Sequence, residues 1–140
     1  MKKLLLLLIM LTFGVSCQEK ASKNSDVQLL NGYWEIEEVT LADGAKVSYK
    51  INEDLDFFEV KNDSGFRKKV KPQFNGTYLV NDTYEKIKID RDAKGTFIRY
   101  QTKYATWKEQ IISLSKEQLI LENEQNVQYQ YKKPVYFTVK

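Results

Sequence analysis

The chemistry open to this chain is narrowed first by what it lacks: its 140 residues include no histidine and one cysteine, Cys17. Without imidazole there is no Ser-His-Asp or Cys-His relay and no histidine metal ligand. Catalysis would have to rest on carboxylates, tyrosines or lysines. The carboxylate pairs are Asp54 with Asp56 and Asp90 with Asp92. Each falls at a strand end in a polar stretch, where solvated turn chemistry is expected. A calcium loop would need more oxygen ligands in a fixed array and a glycine for its sharp turn. The sequence therefore reads as a non-enzyme with no metal and no other cofactor. The side chains that could engage a ligand are aromatic: Trp34, Tyr49, Tyr78, Tyr100, Trp107, Tyr129 and Tyr131. Pockets are mainly apolar with a few polar groups, and tyrosine offers both. The same residues could instead fill a core, with Trp34 plugging one end of the fold.

The elements that must position these residues are β-strands. From Asn31 onward, short runs rich in Val, Ile, Thr, Tyr and Phe alternate with turn clusters, the pattern of an antiparallel barrel or sandwich. Strands are expected at 33–40, 46–51, 55–61, 66–71, 76–80, 84–90, 96–102, 106–114, 118–123, 127–131 and 135–139. Val47, Tyr49 and Ile51 should share a half-buried face. Asp43-Gly44 signals a tight turn, Asn62-Asp63-Ser64-Gly65 a loop, and Asn81-Asp82 a hairpin between the fifth and sixth runs. In 55–61 the adjacent Phe57 and Phe58 cannot both face the core. The phase break within Ile111-Ile112-Ser113-Leu114 predicts a β-bulge. Closing the sheet removes exposed edges, so a barrel is preferred to an open sheet.

Residues 1–16 read as a secretory signal: Met1-Lys2-Lys3, then an apolar run to Val15, then Ser16, too short for a good spanning helix. With Cys17 next, the segment resembles a bacterial lipoprotein signal, which implies lipidation of Cys17 and a membrane anchor. Residues 17–28 would be the lipidated cysteine and a flexible tether, and 29–140 the barrel domain. Gln18, where some lipoproteins carry a retaining Asp, points to the outer membrane, with the leaflet open. The chain carries 22 basic and 19 acidic residues. Losing Lys2 and Lys3 leaves the signs almost balanced. The charges look interleaved, which argues against a nucleic-acid partner. The densest basic cluster, Arg67 to Lys71, reads as a solvated face, or else as a contact for anionic lipid.

Leu30-Asn31-Gly32-Tyr33-Trp34-Glu35-Ile36 resembles the Gly-X-Trp first strand of the lipocalins. The spacing Ile111-Ile112-Ser113-Leu114, Leu119-Ile120-Leu121 and Tyr129-Gln130-Tyr131-Lys132 is similar to the second half of lipocalin-like lipoproteins of Bacteroidota. The resemblance spans roughly residues 29–133. It implies an all-β, antiparallel up-and-down β-barrel of about 8–10 strands, behind its signal peptide. The arginine that lipocalins pack over the first-strand tryptophan has no evident counterpart, Lys132 and Lys133 standing in the last strand instead. The expected function is that of a lipid-anchored envelope protein that binds a small hydrophobic or amphipathic ligand in the barrel. The alternative is a non-catalytic protein–protein or glycan-interaction module at the envelope.

Overall fold

The structure is a computed structural model that describes residues 26–135. The signal segment, Cys17 and most of the tether lie outside the described residues, as does the run expected at 135–139 apart from Val135. Ten strands form: β1 (Gly32–Thr40), β2 (Lys46–Ser48), β3 (Leu55–Lys61), β4 (Ser64–Pro72), β5 (Tyr78–Val80), β6 (Glu85–Asp92), β7 (Gly95–Gln101), β8 (Thr106–Leu114), β9 (Gln118–Asn123) and β10 (Gln128–Lys132). Pairing is antiparallel throughout, and β10 pairs with β1. The sheet is therefore a closed up-and-down barrel. Its ring has eight strands, in the order β1, β3, β4, β6, β7, β8, β9, β10.

The two remaining strands extend ring strands. Along one edge of β1, β3 pairs with residues 32–34 and β2 with residues 38–40. Along one edge of β4, β6 pairs with residues 64–67 and β5 with residues 70–72. The expected hairpin about Asn81-Asp82 is thus not formed: β5 and β6 lie end to end on β4. The loop expected at 62–65 is shorter than read. Asn62 and Asp63 alone turn the chain, with φ of 52° and 61°, the conformation that a two-residue hairpin turn demands. Ser64 and Gly65 already belong to β4. A Cβ on Gly65 would lie 1.8 Å from the Glu59 carbonyl oxygen, so only glycine fits there. The bulge in β8 is found, with the register shifting between Ile111 and Ser113.

Alternation decides which side chains fill the barrel. Phe58 points in and is fully buried, while Phe57 points out. The core runs from Val27, Leu30, Trp34 and Val60 through Ile87, Ile89, Ile98 and Ile111 to Leu119 and Leu121. Burying a side chain of this kind is worth about 1.5–3 kcal/mol. The barrel has a closed and an open end. A short 3-10 turn, Val27–Leu30, capped by the Asp26 carboxylate, packs Val27 and Leu30 against β3 and β8 at the closed end. Part of the stretch read as tether is therefore built into the plug. The expected half-buried face at 46–51 is not formed. Val47 and Tyr49 are exposed, and Ile51 is 90% exposed, because only three residues of that run find a partner strand.

Candidate functional site

At the open end the alternation that buries apolar residues elsewhere carries charged residues inward. Asp56 precedes Phe58 and Val60 on the inner face of β3. Glu85 precedes Ile87 and Ile89 on β6, and Glu109 lies between Trp107 and Ile111 on β8. Arg67 and Lys69 come from β4, opposite Phe58 and Asp56. Arg67 holds Glu85 through two bonds, Nε to Oε2 at 2.8 Å and Nη2 to Oε1 at 3.2 Å. Its guanidinium lies 4.2 Å from the Tyr100 ring centroid. Bidentate pairing and stacking on an aromatic face both suit arginine rather than lysine. The remaining nitrogen, Nη1, stands 3.6 Å from Glu109 Oε1, beyond hydrogen-bond reach. Lys69 meets the buried Asp56 at 2.7 Å as an ion pair, without hydrogen-bond alignment.

These groups surround an open cavity of about 510 Å³. Its wall includes Asp56, Arg67, Lys69 and Glu109, with Trp107, Tyr129 and Tyr131 beside them. The Tyr100 hydroxyl and the Glu109 carboxyl are buried side by side and interact with each other, without the alignment of a good hydrogen bond at Glu109 Oε1. Burial pushes the Glu109 carboxyl above its ordinary value, and the neighbouring Tyr100 and Arg67 offset this only in part. Burial likewise raises both Tyr100 and Tyr131 well above the usual phenol value. Burial opposes the Arg67 charge, but the Glu85 and Asp56 carboxylates around it keep that charge firmly in place. The mouth thus offers a fixed cation, a carboxyl inclined to keep its proton, and neutral phenols. Imperfectly satisfied buried polar groups are costly, and a ligand bearing hydroxyl or amine groups could improve their contacts. Among the described residues, no cluster of three Asp, Glu or Cys side chains could hold a metal ion.

The aromatic candidates divide between several places. Trp107, Tyr129 and Tyr131 line the mouth cavity, and Tyr100 stacks on Trp107 with ring centroids 5.3 Å apart. Trp34 lies at the closed end, fully buried, its Nε1 donating to the Leu30 carbonyl at 2.7 Å. The lysine tail supplies the cation that sequence reading found no counterpart for: Lys133 Nζ sits 3.8 Å from the Trp34 ring centroid. Tyr49 is exposed, and Tyr78 is on the outer surface, stacked on Tyr33 at 4.3 Å. The carboxylate pairs separate as well. Asp56 is buried while Asp54 is exposed near Lys71, and Asp90 pairs with Arg99 while Asp92 caps a turn. Asp56 is therefore not the solvated turn residue expected. Sequence reading missed Arg67, Lys69, Glu85 and Glu109, although the period-two pattern around Glu85 and Glu109 marked both as inward.

No protein-family model matches the chain, and neither does any curated protein. Among solved structures, the chain is similar to a lipocalin-like protein from Bacteroides uniformis, at 16% identity and a TM-score of 0.49 over 76% of this chain and 99% of that one. It is also similar to an uncharacterized protein from Bacteroides eggerthii, at 11% identity and a TM-score of 0.49 over 75% of this chain and 99% of that one.

Proposed function

We propose that this barrel binds a small amphipathic ligand at its open mouth and is carried on the outer membrane by lipid attached to Cys17. The observation that carries the binding reading is the mouth cavity itself. At about 510 Å³ it falls within the usual range for small-molecule sites, and its wall carries the buried Asp56 and Glu109 carboxyl groups beside Trp107, Tyr129 and Tyr131. The ligand would present hydroxyl or amine donors to Glu109 and an apolar surface to Trp107. The apolar side chains exposed around the same end, among them Phe74 and Tyr104, favour a ligand that arrives from a lipid or micellar phase. Oriented polar contacts inside an aromatic wall replace the largely apolar burial expected from sequence.

The test is native mass spectrometry of residues 18–140 purified gently from the source organism. A reproducible added mass that disappears on denaturation supports the reading, and its value begins to identify the ligand. A clean unliganded mass, together with Trp107 fluorescence unresponsive to extracted envelope lipids, overturns it. The anchor is tested by Cys17→Ser, which should release the protein from the membrane fraction.

A further inference from the structure

The linear basic cluster at 67–71 does not survive folding as a unit: Arg67 and Lys69 turn inward to Glu85 and Asp56, and Lys71 turns to Glu53 and Asp54. A different basic surface forms across strands. Lys88, Arg99 and Lys108 are direct partners in register on β6, β7 and β8, with strands about 4.8 Å apart. Like charges directly opposite one another destabilise a sheet, so three in a row work against folding. Lys86 and Lys68 extend the same face. Of the acids of β6, Asp90 pairs with Arg99 at the centre of the row and Asp92 accepts from the backbone N–H groups of Lys94 and Gly95, so Lys88 and Lys108 keep no acidic partner from β6. The row borders an open groove of about 870 Å³ on the barrel's side, which also takes in Phe66 and Tyr84, with Glu124 at its margin.

An aromatic band leads into this groove. Tyr78 stacks on Tyr33, Tyr33 meets Phe57 at 4.8 Å, Phe57 meets Phe66 at 6.1 Å, and Phe66 meets Tyr84 at 6.2 Å. Lys68 Nζ lies over the last two rings, 5.3 and 5.8 Å from their centroids. We infer that this side face binds an acidic glycan, a sugar chain bearing carboxylate, sulfate or phosphate groups. Pyranose faces would lie on the rings, and the anions would meet Lys88, Arg99 and Lys108. Charge complementarity selects an anionic partner. A bilayer fits less well, because Tyr33, Phe57, Phe66 and Tyr78 are half-buried and the most exposed apolar side chains, Phe74, Ile51 and Tyr104, lie off this band. The choice of a glycan over nucleic acid rests on the export read from residues 1–16.

The test is isothermal titration of the mature protein with galacturonate oligomers at low salt. Neutral malto-oligosaccharides, a thymidine oligonucleotide and vesicles containing phosphatidylglycerol serve as comparisons. The inference expects binding of the galacturonate oligomers alone, weakening steeply as salt is raised. It expects Lys88→Gln with Lys108→Gln to lose about tenfold or more in affinity, as removal of two anion contacts should, while the melting temperature holds or rises. Glu109→Gln, at the mouth, should leave this affinity unchanged. Absence of binding, equal binding of the oligonucleotide or vesicles, indifference to the double variant, or loss on Glu109→Gln would each overturn it. The last outcome would place the acidic chain in the mouth and leave the mouth's own role standing.

Discussion

At the closed end of the barrel Leu30, Trp34 and Leu119 have no solvent exposure, and the Trp34 indole N–H is spent on the Leu30 carbonyl. At the open end Asp56 and Glu109 are nearly as buried, yet Glu109 meets Tyr100 without good hydrogen-bond alignment and stands 3.6 Å from the Arg67 guanidinium. The same strands, with the same inward alternation, build both ends. The difference is that one end is apolar and saturated, whereas the other buries charged groups in imperfect contacts. Burying charge is expensive unless it is paired and hydrogen-bonded, so the open end is not built for stability. That contrast marks the open end as the candidate site.

Four variants sharpen or break the contrast. Trp34→Ala removes the largest fully buried side chain and should cost about 4 kcal/mol, measured by urea denaturation, with ligand binding at the mouth retained wherever the variant is folded. Arg67→Ala leaves Glu85 beside Glu109 without their cation and should cost about 3 kcal/mol. Replacing Arg67, Glu85 and Glu109 together by Met, Leu and Leu should be close to neutral, because such replacements avoid uncompensated charge. If the triple variant were instead the least stable of the set, the polar mouth would be a stabilising element and the contrast would fail. The smallest effect is that of Glu109→Gln, read as stability against pH. The native state holds the Glu109 proton more tightly than the unfolded chain does. The wild type therefore loses stability as pH rises from the ordinary carboxylate value through the raised native one. Glutamine cannot ionise, so the variant's melting temperature should gain on the wild type across that interval.

Much of the barrel could be read from residue order. The turn at Asp43-Gly44, the bulge after Ile111 and the strand at 118–123 follow from local rules, and each is where those rules put it. The two split ring strands could not be read. Whether 78–80 pairs with 85–92 or runs end to end with it on β4 depends on the partner's length, and Ser64–Pro72 is long enough to take both. The mouth was partly legible. Trp107-Lys108-Glu109-Gln110-Ile111 places a carboxyl among inward apolar residues, but charge was read as a sign of solvent. The row of Lys88, Arg99 and Lys108 was invisible, because each stands on a different strand and only register brings them into line.

Closing the ring between its first and last strands also bears on how the chain folds. Gln130 bonds to Glu37 across 93 residues, whereas β6 to β10 pair successively through short turns. Pairing of strands far apart in sequence is slow because the entropy of closing the loop is lost before its contacts form, so the β6–β10 meander should acquire hydrogen-exchange protection first and the β1–β10 seam last. Until the seam forms, the meander has two open edges, each a template for pairing with another chain. The barrel's freedom from edges is thus acquired only in its final folding step, and a nascent chain is exposed to self-association for as long as its last strand is delayed.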